Sequence, residues 1–230
     1  MLLLCGVLGA FHKANSQQTV GTTLLTAQAE DGYVLFEFMG DTAIYLIDNC
    51  GRVINEWESD FTAGTSVYLQ EDGSIIRAGN PGTTAFPVGG QGGVMEKFDW
   101  DGNLVWQFFY SDSARCLHHD FEVLPNGNIL ALAFERITRA DAIAAGRDTA
   151  LLAEDELWPE VVVELQPIGS DSAAIVWEWR MWDHLIQDYD NTKQNFGVPA
   201  NHPELFDLNY TWTPIADWAH ANSIDYNPTL

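Results

Sequence analysis

Short runs of alternating apolar and polar residues fill most of the chain. A period of two places one face of a strand against a core and the other toward water. The runs also recur in order. After Thr42 the chain reads AIYLIDNCGRVINEW, which is followed by SVYLQEDGSIIRAG. After Gly93 it reads VMEKFDWDGNLVWQF, and from His118 HHDFEVLPNGNILALAF. Asp48 thus matches Asp99, Gly51 matches Gly102, Trp57 matches Trp106, and Asp72-Gly73 matches Asn126-Gly127. A third copy opens at Val161 as VVVELQPIGSDSAAIVWEW and resumes at His220 as HANSIDYN.

Each half-unit is strand, turn, strand. Asn, Asp and Gly at the turns supply the positive φ that tight hairpin loops need, and Val, Ile, Trp and Phe supply the packing. Four short strands per repeat is the pattern of a β-propeller blade, whose sheet buries its faces against neighbouring blades. The fold class expected is all-β, a partial β-propeller of about three four-stranded blades with helical and loop insertions. The blades are placed at residues 42–80, 93–135 and 160–230. The segment GYVLFEF, Gly32 to Phe38, reads as the closing outer strand of a preceding or shared blade. Two stretches break the pattern: an Ala-rich segment with helical spacing at 136–158 and a long aromatic, Pro- and Asn-containing insertion at 182–217. Insertions of this length project from one face of such a fold and either build a pocket or decorate the surface. A closed propeller needs at least ~4 blades, so the chain is expected to be the N-terminal part of a longer protein.

Charge narrows the partners. With 33 acidic residues against 10 basic ones the formal charge is −23, which excludes a nucleic-acid binder by bulk charge, since phosphate contacts need Lys and Arg. An anionic substrate therefore has to be held by a short list of local donors. The continuous apolar stretch from Met1 to Phe11 is too short to span a bilayer as a helix, which takes ~20 residues. It reads as the core of a secretory signal, residues 1–16, with Ala14-Asn15-Ser16 before Gln17 as cleavage site, leaving 17–230 as the incomplete propeller domain. A periplasmic or secreted location follows, and there Cys50 and Cys116 either pair or stay as buried thiols. No CxxC metal site is present and no residues are assignable to a quinone, so no cofactor is expected.

Six histidines occur, with His12 in the expected signal and His184 and His202 in the second insertion. The informative ones are His118, His119 and His220. His118-His119 and His220 open equivalent strands of successive repeats, and such strand ends converge on a common axis. Neighbouring residues of a strand point to opposite faces, so only one of His118 and His119 is expected to enter a given site. Aligning HHD with HAN favours His118, a one-residue slip favours His119, and both stay open. Imidazoles gathered in an acidic protein can bind an anionic group, act as general acid, or attack as nitrogen nucleophiles. The alternatives are a metal-dependent hydrolase using His118, Asp120 and His220, and a non-catalytic extracellular binding propeller in which the histidines are structural. Arg115 is either a helper charge or a solvated loop residue. Trp100, Trp106, Phe108, Tyr110, Trp182 and Trp218 either line an aromatic pocket or pack between blades.

The ordered set HHDFEVLPNGNIL, AIAAGRDTALLAEDELWPE, IVWEWRMWDHLIQDYD and DWAHANSIDYN resembles the bacterial arylsulfotransferases, and the resemblance runs from about Tyr33 to Leu230. It implies a six-bladed periplasmic or secreted propeller. The implied reaction moves a sulfuryl group from an aryl sulfate ester to a phenol without a nucleotide donor, by a ping-pong route through a sulfated histidine. Small-molecule aryl sulfates and phenols are the partners it implies. By motif, His118, His119 and His220 look like the histidines that bind and polarise the sulfuryl group, and Asn222 and Ser223 share the HxNS motif. The family's arginine and its sulfated histidine fall in later segments, beyond Leu230, so the chain alone is expected to be inactive.

Overall fold

A computed structural model describes residues 24–152, 154–211 and 213–229. The expected signal, residues 1–16, lies outside the described residues. The fold is all-β, 43% strand and 8% helical, in several antiparallel sheets none of which closes on itself. Among the described residues no helix is long and apolar enough to cross a membrane.

Three sheets follow one another along the chain. The first holds β1 (Tyr33–Glu37), β2 (Ala43–Asp48) and β3 (Val53–Glu58) in that order. The second holds β4 (Thr62–Leu69), β5 (Ile75–Asn80), β6 (Val94–Phe98) and β7 (Leu104–Phe109). In the third, β8 (Arg115–Val123) pairs with β9 (Ile129–Glu135), β9 with β12 (Glu160–Ile168), and β12 with β13 (Ser172–Arg180). The first strands lie side by side, β1 against β4 and β4 against β8.

These sheets cut the repeat differently from the expected blades. The span 42–80 is shared by two sheets, β2–β3 and β4–β5, and 93–135 likewise by β6–β7 and β8–β9. The two hairpins of a repeat belong to neighbouring sheets because the link from β5 to β6 is laddered while the link from β3 to β4 is not. In the third span, β12–β13 close the sheet begun by β8–β9, and residues 220–226 form no strand with them. Nor is GYVLFEF an outer strand of another unit: β1 pairs with β2, Tyr33 opposite Asp48 and Glu37 opposite Ile44, and takes the same place in its sheet as β4 and β8.

The turns behave as their residues dictate. Asp48 Oδ1 accepts the backbone N–H of Cys50 and Arg52, Asp99 Oδ1 that of Asn103, and Gly51 and Gly102 follow at φ 74° and 85°. The matched tryptophans stitch successive sheets together. Trp57 Nε1 donates to Asp99 O at 2.7 Å, and Trp106 Nε1 to Ser172 O at 2.8 Å. The main core, with Met95, Trp106, Leu117, Phe121, Ile129 and Val163, fills the space between the second and third sheets.

The two insertions pack on each other. The first contains β10 (Ile137–Thr138), helix α1 (Arg139–Ala145) and β11 (Glu156–Leu157), and the second the short parallel pair β14 (Leu185–Ile186) and β15 (Phe206–Asp207). Helical spacing at 136–158 becomes α-helix over Arg139–Ala145, capped by the Thr138 side chain and by Gly146 at φ 101°, and a single 3-10 turn over Thr149–Leu151. Ala142, Ala145, Leu157, Leu185, Leu208 and Trp218 form their shared core. Cys50 is an exposed free thiol and Cys116 a buried one.

Candidate functional site

The site begins with an irregularity in β8. Its register with β9 runs from Leu117 opposite Ala133 to Phe121 opposite Ala131, so His118, His119 and Asp120 together face Leu132. The extra residues break the alternation of faces. His119 takes φ 52°, a left-handed conformation that costs a non-glycine residue about 1–2 kcal/mol. Its surroundings hold it there: His119 N–H donates to Gly90 O at 2.8 Å, and its carbonyl accepts from Thr65 Oγ1 at 2.6 Å and from Ser66 Oγ. Gly90, at φ 73°, leaves room for the ring, since a Cβ there would lie 2.0 Å from His119 Cε1.

The bulge overturns the expectation that only one of the adjacent histidines enters the site, for both do. His118 has a fully buried side chain that stacks on Phe134 of β9, with ring centroids 3.8 Å apart and planes at 12°. Its Nδ1 lies 3.1 Å from His119 Nδ1 and its Nε2 2.9 Å from Glu160 Oε2, at the start of β12. His119 Nε2 lies 3.3 Å from His220 Nε2, although the two are 101 residues apart in sequence. His220 Nδ1 meets Asp217 Oδ2 at 2.6 Å, and Glu160 Oε1 accepts Ala221 N–H at 2.8 Å. Asp217 Oδ1 is buried with no hydrogen-bond partner.

The alternative set His118, Asp120 and His220 is not assembled. Asp120 Oδ1 accepts from Tyr68 Oη at 2.6 Å and Ser66 Oγ at 3.0 Å, and its Oδ2 from Ile224 N–H at 3.1 Å, so its carboxylate pins segments together. His118, His119 and His220 do offer nitrogens within 4.8 Å of one another. The same rings are also within hydrogen-bond distance of one another and of Glu160 and Asp217. Arg115 lies over the Tyr110 ring at 4.5 Å and beside Asp112. The six aromatics considered from sequence also sit elsewhere: Trp106, Phe108 and Tyr110 in the core between sheets, Trp182 and Trp218 between the insertions, and Trp100 edge-on to Trp57. His184 stacks on Trp179 and His202 pairs with Glu204. Glu160, Asp217 and Phe134 were not legible as site residues. The run Gly89-Gly90-Gln91-Gly92-Gly93 was the one available signal of a close backbone approach.

Burial dominates the electrostatics. Loss of solvent, helped by the neighbouring His220, pushes His118 down to about 3. Burial, with His118 and His220 nearby, takes His119 down to about 4. The same desolvation pushes the Glu160 carboxyl up to about 8, against the Ala221 N–H that favours its anion. At neutral pH the inner part of the site is therefore uncharged. It holds three imidazoles able to exchange protons and, at its exposed side, the edges of His119 and His220. Such a set can donate to an anionic group and pass protons without a fixed charge.

No curated protein matches the chain in sequence. It is similar to a crystal structure of a protein of unknown function from Bacteroides caccae, at 12% identity and TM-score 0.40, covering 66% of this chain and 41% of that one. The chain thus spans about two fifths of that protein's length. The sequence matches the family Arylsulfotransferase (ASST) over residues 12–229, nearly its whole length, and the chain belongs to that family.

Proposed function

We infer that this chain forms the sulfuryl-binding part of an arylsulfotransferase, which moves a sulfuryl group from an aryl sulfate ester to a phenolic acceptor through a sulfated histidine. The observation that carries the reading is the meeting of His119 and His220, nitrogen to nitrogen at 3.3 Å, at the exposed edge of a buried imidazole cluster. Sulfuryl transfer needs donors on the equatorial oxygens and an acid for the departing phenolate. His119 Nε2–H supplies a donor and the acid, and His220 sets that proton at the exposed edge. His118 stands behind His119 and orients it. The three successive sheets are read as neighbouring propeller blades with β1, β4 and β8 innermost, and residues 220–226 as the entry to the next. Periplasmic or secreted location, the later arginine and the later sulfated histidine complete the proposal from the family resemblance.

Two measurements test it. Titrating the 230-residue chain with 4-nitrophenyl sulfate shifts the imidazole resonances of His119 and His220, and His220→Ala abolishes the shift at His119. In the protein that carries this chain, 4-nitrophenyl sulfate plus phenol yields phenyl sulfate, and His119→Ala or His220→Ala lowers the rate roughly 10²-fold or more. Unperturbed imidazoles, or full transfer by both variants, would reduce the cluster to a structural feature.

A further inference from the structure

Four hydrogen-bond links run through the cluster from one carboxyl to another. They are Glu160 Oε2 to His118 Nε2 at 2.9 Å, His118 Nδ1 to His119 Nδ1 at 3.1 Å, His119 Nε2 to His220 Nε2 at 3.3 Å, and His220 Nδ1 to Asp217 Oδ2 at 2.6 Å. Both nitrogens of every ring are used, so the chain is unbroken. Each link needs one proton between its two atoms. A neutral imidazole carries one N–H and a carboxylate carries none. Three neutral imidazoles therefore provide three protons for four links, and the fourth must rest on a carboxyl group or turn one ring into an imidazolium.

At the inner end the surroundings favour the carboxyl. The side chain of His118 is fully buried against Phe134, where an imidazolium would be poorly solvated. Glu160 is 6% exposed, and among the described residues its hydrogen-bond partners are His118 Nε2 and the Ala221 N–H, which it accepts at Oε1. We propose that Glu160 is a carboxylic acid at neutral pH and the proton reservoir of a relay, Glu160 to His118 to His119, that delivers a proton to the edge where His119 meets His220. Nothing in the family match assigns Glu160. It acts through two rings and is a positioning residue that also stores a proton.

The proton directions follow. Glu160 Oε2–H donates to His118 Nε2, His118 Nδ1–H to His119 Nδ1, His119 Nε2–H toward His220 Nε2, and His220 Nδ1–H to Asp217. When a departing phenolate oxygen takes the His119 Nε2 proton, the His118 Nδ1 proton crosses to His119 Nδ1 and the Glu160 proton crosses to His118 Nε2. The phenol leaves neutral and both rings stay neutral, each with its proton on the opposite nitrogen. The negative charge comes to rest on Glu160, where Ala221 N–H and His118 Nε2–H hold it. Other groups facing the relay are Asp217 and His220 from the end of the chain and Asp120 from β8, the last already bonded to Ser66, Tyr68 and Ile224. The elevated carboxyl and lowered imidazole affinities for protons agree with this assignment. Only the final transfer to phenolate rests on the sulfuryl-transfer reading.

The test is spectroscopic and uses the 230-residue chain without any aryl sulfate. Infrared difference spectra at pH 6.5 between wild type and Glu160→Gln are expected to show a carboxylic-acid C=O band lost in the variant. Nitrogen NMR is expected to find the proton on Nδ1 of His118 and Nε2 of His119, both switching to the other nitrogen as wild type is raised through pH about 8. Glu160→Gln keeps a donor toward His118 Nε2 that cannot be released, so its tautomers stay put over the same range. A missing acid band, wild-type tautomers that do not switch, or an equal switch in Glu160→Gln would overturn the relay. A failure of aryl sulfate binding would sink the sulfuryl reading and leave these outcomes unaffected. In the turning-over protein, Glu160→Gln is expected to slow phenyl sulfate roughly 10²-fold more than 4-nitrophenyl sulfate, because nitrophenolate departs without a proton. Equal losses would overturn delivery to the leaving group.

Discussion

Two buried clusters pair a basic side chain with glutamate, and they work in opposite ways. In the second sheet the guanidinium of Arg77, fully buried, lies 2.7 Å from Glu96 and 3.0 Å from Glu37 of β1. Glu96 is further tied by Ser59 Oγ at 2.7 Å and Gln107 Nε2 at 3.1 Å. In the third sheet His118 meets Glu160 at 2.9 Å with a similar degree of burial. A guanidinium does not release its proton inside a protein, so the Arg77 cluster is a fixed charge that locks the first two sheets together. Imidazole and carboxyl groups exchange theirs, so the His118 cluster can change state while the backbone stays still. Similar burial yields a rivet in one sheet and a proton store in the next.

The largest expected effect breaks the rivet. Arg77→Met leaves Glu37 and Glu96 buried without their cation and should cost about 3–5 kcal/mol in urea denaturation, whereas Glu160→Gln at neutral pH should cost under about 1 kcal/mol. Similar losses would erase the contrast. Gly90→Ala comes next. Its left-handed backbone alone costs about 1–2 kcal/mol, and the new methyl meets the His119 ring, so His119 should lose its contact with His220 in nitrogen NMR. Retention of that contact would show that the bulge does not depend on the glycine run.

The smallest effect is in the pH profile of stability. Glu160, raised from 4.5 to about 8, contributes stability that is fully present below about 4.5 and lost as pH rises through about 8. His118, lowered from 6.5 to about 3, contributes stability that is present above 6.5 and lost as pH falls through about 3. Denaturation midpoints should therefore fall on both sides, and Glu160→Gln should flatten the alkaline side alone. An unchanged alkaline slope would move the titrating group away from Glu160.

Much of the fold could be read from local chemistry. Asp48, Asp99, Gly51, Gly102, Trp57 and Trp106 recur because each hairpin needs the same turn and each sheet the same hook to the next. The convergence of His220 on the earlier pair was legible from the same repeat. What escaped was the choice between His118 and His119, because strand alternation fails where β8 bulges and His119 adopts a left-handed backbone. Glu160 escaped because it reaches His118 across 42 residues, a separation over which pattern carries no information, and Asp217, only three residues before His220, because no regular element there fixes where its side chain points.

The amino-acid order alone determined an all-β chain of repeated hairpins and its family, since strand alternation and turn residues act over a few positions. Which strands share a sheet, and where the proton of the histidine cluster resides, were decided only in three dimensions. Ladder pairing and burial both depend on what lies beside a residue in space, and local sequence does not encode that neighbour.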